Sequence, residues 1–435
     1  MDWILPIIVL VTAYILAAYY IHKNQLWPEY ITFYGPFMAI KTDKVGFFDR
    51  SIHYSTFLRA YGTLGVVMVV IVSALMTIML FFSVQHIVVQ RPELTAANEL
   101  KNVLAIPGVN DFIPFTFAVW FGLIATMVVH EFGHAILCRV EGIRVRSMGV
   151  LLAVIPIGAF VEPDEEDQEK TKGLPKMRMF GAGITNNILL GLACFALVVF
   201  LLGFAVPVST PFISSMYADS PAHIAGVNPF SVIKEVNGIP VSSRDEVSAL
   251  LNSSKPGDQV TLLVENKGIP SAHTLTLAAW PKQLGDRANG FMGVTYYDAP
   301  VVKQQFEFFK EPVGLVILLA IPIYTITEPE TFSRFSLLII DSAEAIAWQV
   351  PFPHYWTVIQ ILFWCGWFNL VAGTFNALPL VPLDGGYILW EGVNRIMDRG
   401  GLLKYAGYIS GAVSYLMLAA LIAVVVLPLV LNAPK

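Results

Sequence analysis

The chain has 435 residues, of which 56% are hydrophobic and 14% are charged. Soluble globular domains usually carry about 25% charged residues, so this composition favours a membrane protein. The net charge of −5 offers no basic surface for nucleic acid, and three dispersed cysteines in apolar stretches (Cys138, Cys194 and Cys365) predict buried thiols and not a metal cluster.

Long apolar runs dominate the sequence. A helix needs about 20 apolar residues to cross a hydrocarbon core about 30 Å thick. Six runs meet or nearly meet this length: 3–21, 61–89, 112–138, 179–206, 355–383 and 404–431. We interpret residues 3–21 as a spanning helix and not a signal peptide, because Asp2 replaces the expected basic region and the run is too long. The sequence predicts a polytopic α-helical membrane protein with six transmembrane helices.

Basic residues are concentrated in the loops after the first, third and fifth runs, whereas the loop after the second run has only Arg91 and Lys101. The positive-inside tendency places the three basic loops in the cytoplasm. Both chain ends are then expected outside it.

The third run contains His130-Glu131-Phe132-Gly133-His134. Residues four apart share one face of a helix, so both imidazoles can reach one metal ion, and the glutamate can take a proton from water. Such residues within hydrocarbon are costly and usually functional. The pattern predicts a metal site near the inner end of this helix.

Residues 144–161 follow this helix and form an apolar segment too short for a helical crossing, with Pro156 and two glycines. We expect a hairpin or re-entrant strand pair. Non-helical backbone at membrane depth is tolerated where it lines a cavity. The segment is therefore expected to line one.

Residues 207–300 are polar, with turn signals and strand-like runs at 231–236, 259–265 and 273–278 around a helix-like run at 244–251. Ser220–Val227, followed by Val236-Asn237-Gly238 and Pro256-Gly257-Asp258, resembles a PDZ domain of the bacterial periplasmic type. The orientation of the basic loops places this region outside the cytoplasm, and the resemblance implies an α/β domain that binds extended peptides or chain ends. Asn228-Pro229-Phe230-Ser231 replaces the usual Gly-Asp, which puts its ligand groove in doubt.

Residues 301–354 are expected to lie at the outer interface, because Pro322 interrupts one apolar run and Asp341 and Glu344 lie in another.

A third metal ligand is needed, since catalytic zinc usually has three protein ligands and one open position. The candidate acids are Glu141, Glu162, Asp384 and Glu391. Asp384 is favoured because we expect it to end an apolar helix, in Leu383-Asp384-Gly385-Gly386, where glycines permit a sharp turn.

HEFGH, a PDZ-like insert and LDGG, in this order, resemble the site-2 protease family of intramembrane metalloproteases over residues 112–400. The resemblance implies one zinc ion per chain bound by His130, His134 and Asp384, with Glu131 activating water. The expected substrates are transmembrane segments of membrane proteins, cut within the lipid bilayer, and the expected location is a prokaryotic cell membrane.

The same resemblance implies substrate-binding residues. Asn376-Ala377-Leu378-Pro379 is similar to the family's asparagine-proline motif, which points to Asn376 and Pro379. Ala182-Gly183-Ile184-Thr185-Asn186-Asn187 is similar to its AG-x-x-x-N motif, which points to Asn187. Ile155–Val161, with Ile155 and Gly158, is similar to the segment that aligns substrate as an added strand. From the residues alone, both asparagines could equally be structural links between helices.

Two alternatives remain open from the sequence. A membrane zincin of the prenyl-protein-processing type also uses HExxH, but no histidine here has a glutamate four positions before it. A PDZ-bearing scaffold or a metal transporter would be non-enzymatic. The expected domains are two accessory helices (1–111), a first core half (112–206), the PDZ-like domain (207–300), the interfacial segment (301–354) and a second core half with the last helix (355–435).

Overall fold

The computed structural model describes residues 4–208, 211–229, 231–266, 268–285, 287–327, 335–341, 345 and 347–432. The chain forms two compact units, each assembled from more than one stretch of sequence. The first unit consists of Met1–Val103, Trp120–Ala193 and Cys365–Lys435. The second consists of Leu104–Val119 and Cys194–Trp364.

The helices and strands alternate irregularly along the chain. The α-helices are α1 Ile4–Lys23, α2 Ser55–Gln90, α3 Phe117–Val140, α4 Glu165–Lys170, α5 Leu174–Leu202, α6 Pro221–Ile224, α7 Arg244–Asn252, α8 Ala299–Phe308, α9 Gly314–Thr327, α10 Ser336–Ile339, α11 Tyr355–Asn376, α12 Asp384–Arg399 and α13 Ala406–Leu431. The strands are β1 Ile31–Tyr34, β2 Phe37–Thr42, β3 Val145–Ala153, β4 Ile155–Pro163, β5 Val206–Pro207, β6 Pro211–Met216, β7 Val232–Val236, β8 Ile239–Pro240, β9 Gln259–Asn266, β10 Ile269–Thr276, β11 Val294–Asp298 and β12 Trp348–Gln349.

Five helical segments among the described residues are long and apolar enough to cross a membrane. They are Gly46–Gln90, Phe117–Val140, Leu174–Leu202, Tyr355–Asn376 and Leu403–Leu431. These segments confirm a polytopic membrane protein. Helix α1 is apolar but is not among the five, because its part with described side chains, Ile8–Lys23, is shorter. The sixth crossing stays a prediction.

The predicted run 355–383 is wrong at its C-terminal end. Helix α11 ends at Asn376, and Asp384 begins helix α12 instead of ending an apolar helix. Pro379 and Pro382 lie between them, and proline lacks the amide hydrogen that a continuing helix would need. Asp384 is therefore presented at a helix start, after a turn.

The first unit contains an antiparallel sheet of strand order β1-β2-β3-β4. Strands β3 and β4 form a hairpin at residues 145–163, where the sequence predicted a strand pair, and β2 continues the sheet with Lys41 opposite Gly149. A side chain on Gly149 would meet the Ile40 carbonyl and the Phe160 ring, so glycine is required where the strands approach. The hydroxyl of Tyr14 in α1 lies 2.8 Å from the Pro36 carbonyl and 3.1 Å from the Leu152 carbonyl. Helix α1 is thus bonded to both hairpins of this sheet.

The second unit contains a β domain, residues 211–298, with the strand order β10-β9-β7-β6-β11 and β8 paired to β7. Side chains of β7 and β9, including Ile233, Val236, Leu262 and Val264, contribute to its buried core. Helix α7 begins after Ser243, whose side chain accepts a hydrogen bond from the Glu246 amide. The predicted strands and helix of this region are confirmed to within a few residues, and Phe230 lies outside the described residues.

The described residues after the β domain, up to Gln349, include helices α8, α9 and α10 and strand β12. Helices α8 and α9 bury Phe306, Leu318 and Ile321, and β12 pairs with β5. Lys303 of α8 donates to the carbonyls of Leu202 and Gly203 at the end of α5. Glu344 lies outside the described residues, and the interfacial location of this segment stays a prediction.

Candidate metal centre

Three predicted ligand side chains converge in the first unit. His130 Nε2 lies 3.1 Å from Asp384 Oδ2, His134 Nε2 lies 3.3 Å from the same oxygen, and the two Nε2 atoms are 3.1 Å apart. Ligands about 2.0–2.1 Å from a tetrahedral zinc ion are about 3.3–3.4 Å from one another. The donor atoms therefore have the spacing that one such ion requires.

The nitrogen that faces the centre is fixed for His134. Its Nδ1 lies 2.8 Å from the carbonyl oxygen of Met179. Because a carbonyl oxygen can only accept, Nδ1 carries the proton, so Nε2, which lies beside Asp384, is the nitrogen that could bind a metal ion. Such an outer contact orients a metal-binding histidine and raises its basicity.

Asn187 makes the matching contact with the other histidine. Its amide nitrogen lies 3.2 Å from His130 Nδ1, and its buried Oδ1 has no hydrogen-bond partner among the described residues. The two ends of a side-chain amide exchange by rotation about its last bond. In that rotated form Oδ1 would accept from Nδ1–H, leaving His130 Nε2 free for a metal ion.

Glycine brings helix α5 close to both imidazoles. A Cβ on Gly183 would lie 2.6 Å from His134 Nε2 and 2.7 Å from His130 Cε1. A Cβ on Gly133 would lie 2.7 Å from the Ala182 carbonyl oxygen. Small residues let membrane helices approach in this way. Gly183 therefore leaves the space in which the metal ligands lie.

The turn that presents Asp384 also depends on glycine. A Cβ on Gly385 would overlap the backbone of Ala377, and one on Gly386 would overlap that of Leu380 and Val381. The chain folds back onto itself there without room for a side chain. The LDGG sequence thus places the carboxylate by backbone packing.

The other three candidate acids have partners elsewhere. Glu141 accepts a hydrogen bond of 2.9 Å from Arg178, Glu162 accepts one of 2.6 Å from Ser147, and Glu391 accepts one of 2.5 Å from the Gly173 amide. Among the described residues, the group of three or more potential metal ligands is His130, His134 and Asp384. Asp384 is therefore the carboxylate that the fold brings to the histidines.

Glu131 lies between the HExxH helix and the β3–β4 hairpin. Its Oε2 accepts a 2.9 Å hydrogen bond from the backbone amide of Val161 in β4. Both residues line a cavity of about 460 Å³ that also contains the three ligands. The candidate base thus contacts a strand edge beside the metal centre.

Some of the predicted substrate-binding residues line this cavity and others do not. Asn187, Asn376 and Gly158 line it, whereas Ile155 and Pro379 are not among its lining residues. Sequence reasoning missed Thr126 and Phe180, which line the same cavity but carry no distinguishing pattern. It also missed the Met179 carbonyl, because a backbone acceptor leaves no signal in the residue type.

A charged cluster fixes the base of the hairpin. The Arg144 side chain donates to Asp167, and this hydrogen bond lowers the pKa of Asp167 to about 2. A carboxyl group whose pKa is lower in the folded state stabilises that state at pH values above its unfolded pKa of about 3.9. This stabilisation is lost as the pH falls through about 2. At neutral pH the Asp167 carboxylate in α4 is therefore charged and paired with Arg144, the residue before β3.

Comparison with known proteins assigns the family. The family model of peptidase family M50 matches residues 118–421, which include all three candidate ligands and Glu131. The chain belongs to peptidase family M50. This M50 protein is thus a site-2 protease-like metalloprotease, and its apolar helices make it an integral membrane protein.

Individual relatives of this M50 protein agree with the assignment. A protein of Brucella suis is 25% identical over 66% of this chain and 86% of its own length. A protein of Clostridium perfringens is 23% identical over 69% of this chain and 94% of its own length. Both are named "Putative zinc metalloprotease", which supports zinc as the metal. The solved PDZ domain of an SdrC-like protein from Listeria monocytogenes covers 21% of this chain and 90% of its own, with 23% identity and a TM-score of 0.19.

Proposed function

We propose that this M50 protein is an intramembrane protease that binds one zinc ion per chain and hydrolyses peptide bonds within transmembrane segments of other proteins. The supporting observation is that His130, His134 and Asp384 meet at zinc spacing beside a strand edge, with both histidines on an apolar helix. Transmembrane segments are the substrates that such a position would meet.

The residues present fit a zinc-assisted hydrolysis. Bound zinc would lower the pKa of a water molecule towards about 7 and polarise the scissile carbonyl. Glu131 would accept the proton of the attacking water and return it to the leaving amine. Asn376, on the cavity wall, is proposed to hold the substrate backbone.

The edge of β4 is proposed to hold the opened substrate. The Val161 amide points away from β3 to Glu131, so Ala159, two residues earlier, presents its backbone groups on the same side. Ala159 also lines the cavity. An extended substrate could therefore pair with Ala159 and come to lie next to Glu131. Ile155, at the start of the strand, would act at most on the distal part of such a substrate.

We also propose the six-crossing topology, with the metal centre near the cytoplasmic side and both chain ends outside. Pairing of β2 with β3 supports it, because the loops that follow α1 and α3 must then lie on one side. The Asn432 side chain donates to the Pro92 carbonyl, so α2 and α13 end on one side as well. Both pairings agree with the positions of the basic loops.

The test uses the purified full chain in liposomes with a single-pass membrane protein as substrate. We expect cleavage that stops when a chelator removes zinc and returns when zinc is added. Replacing two leucines near the cut by glycines should raise the rate up to about tenfold, because it lowers the cost of opening the substrate helix by about 1.5 kcal/mol. Cleaved fragments are quantified by gel and mass spectrometry.

The control substrate carries the same two glycines near the far end of its transmembrane helix. Its cleavage rate should match that of the original substrate, in which neither leucine has been replaced. Cleavage that persists without zinc, or that never responds to glycine at the cut, would contradict the proposal.

The β domain is proposed to bind peptide ends. Next to the edge strand β11 lies a cavity of about 260 Å³ lined by Arg244, Trp280, Arg287 and Gly293. The Arg287 guanidinium lies over the Trp280 ring, 4.3 Å from its centroid. Tyr296 in β11 is hydrogen-bonded to Ser248 in α7 at 2.8 Å, which closes the space between strand and helix there. The part left open suits a chain end whose carboxylate faces an arginine.

Replacement of Arg287 by glutamine should weaken binding of an apolar hexapeptide with a free C-terminal carboxylate by about tenfold, because one charge-assisted hydrogen bond is lost. The same peptide with a C-terminal amide should bind wild type and variant equally. Fluorescence anisotropy on the full chain measures both. Lys282→Gln is the matched control, because Lys282 is also exposed, lies five positions before Arg287 and does not line this cavity. Equal losses in the two variants would argue against a carboxylate site at Arg287.

A further inference from the structure

Helix α2 lies outside the residues matched by the M50 family model, yet it packs directly on the helices of the metal centre. A Cβ on Gly62 would lie 3.2 Å from the side chains of Leu137 in α3 and Arg178 in α5. A Cβ on Gly65 would overlap the Thr185 hydroxyl. The two glycines, three residues apart, bring α2 into backbone-close contact with this part of the first unit.

A chain of hydrogen bonds runs from α2 to the HExxH helix at this contact. The Tyr61 hydroxyl donates to Asn186 Oδ1 at 2.6 Å. Asn186 Nδ2 then donates to the carbonyl oxygen of Val129 at 3.1 Å. Val129 directly precedes His130, so the chain ends on the peptide group that carries the first metal ligand.

The approach that permits this contact depends on Gly133. A Cβ there would lie 2.8 Å from Asn186 Nδ2, so a larger residue would push the amide off the Val129 carbonyl. Asn186 and Asn187 are neighbours on α5 and therefore point in different directions. Asn186 holds the backbone of the HExxH helix, and Asn187 contacts the His130 ring.

We propose that Tyr61 and Asn186 are positioning residues that fix the rotation and height of the HExxH helix so that His130 and His134 face one metal ion. Without the Tyr61 hydroxyl, the Asn186 amide is free to rotate, and its hydrogen bond to the Val129 carbonyl is lost. The proposal rests on the proposed zinc site but not on proteolysis. It gives α2, an accessory helix by sequence, an indirect part in metal binding, through the position of the HExxH helix.

The experiment replaces zinc by cobalt in the purified full chain, because the visible absorption bands of cobalt report its ligand geometry. We expect Tyr61→Phe to shift these bands and to weaken zinc binding about tenfold, the lower end of the effect of losing an outer contact at a metal site. Thr63→Ala is the matched control. Thr63 also links α2 to α5, through Arg178 at 2.9 Å, but it does not reach Val129.

Band shifts and weaker zinc binding in Tyr61→Phe but not in Thr63→Ala would support the proposal. Unchanged bands in both variants, or equal shifts in both, would overturn it, since equal shifts mean general loosening of α2. Thermal melting of both variants shows that each is folded. A chain that gives the cobalt spectrum but cuts no membrane substrate would count against the proposed protease activity alone. A wild-type chain that binds no cobalt or zinc would overturn both proposals.

Discussion

Glu131→Gln should abolish most peptide hydrolysis while leaving zinc bound. Loss of a general base lowers rates by about 10²–10⁴-fold. The glutamine amide has nearly the shape of the carboxylate, and its Oε1 can still accept from the Val161 amide. None of the three proposed zinc ligands is changed. Initial cleavage rates and zinc content per chain, measured on the same preparation, check both halves of the expectation.

Glu162→Gln is the matched control for this variant. Glu162 follows Val161 directly and accepts from Ser147, a contact that glutamine can keep. It is not among the residues that line the cavity with the metal ligands. Wild-type cleavage is therefore expected. If Glu131→Gln cut within twofold of wild type, the role proposed for Glu131 would be wrong.

Asp384→Asn should remove zinc and activity together. The carboxylate is the anionic member of the proposed ligand set, and a neutral amide is a far weaker ligand for zinc. Loss of an outer contact at a zinc site already weakens binding by about 10–100-fold, so loss of a direct ligand should exceed about 100-fold. Zinc affinity is measured by competition with a chromogenic chelator on the full chain.

Asp398→Asn serves as the control, because Asp398 is exposed and lies near the other end of the same helix, α12. It should bind zinc and cleave substrate as wild type does. Retention of one zinc per chain by Asp384→Asn, with unchanged affinity, would show that a different residue completes the site.

The grouping of His130, His134 and Asp384 was largely predictable because these side chains are chemically conspicuous in an apolar chain. Two histidines one helical turn apart and an aspartate before two glycines stand out against hydrocarbon. Sequence could not exclude Glu141, since its pairing with Arg178 joins residues 37 positions apart. It also could not separate Asn186 from Asn187 by their contacts, because only packing shows which side chain faces His130.

The fold was less predictable where backbone pairing and not side-chain type decides the structure. Strands β1 and β2 have few residues, and the pairing of β2 with β3 joins Lys41 to Gly149, more than 100 positions away. Gly35-Pro36 is a turn signal, but it does not indicate which distant strand the hairpin pairs with. Hydrophobicity continues past Asn376 and so predicts a longer helix than α11, whereas Pro379 and Pro382 favour a break.

The sheet of the first unit has one further consequence. Strand β2 pairs with the side of β3 that faces away from β4, so β3 is hydrogen-bonded on both sides. Strand β4 then presents the sheet edge next to Glu131. Unprotected strand edges are prone to pair with other chains. A shortened protein lacking residues 1–54 should therefore bare β3 and self-associate, which sedimentation in detergent would reveal as dimers or larger species. The β1–β2 hairpin would in this way prevent β3 from pairing with another chain.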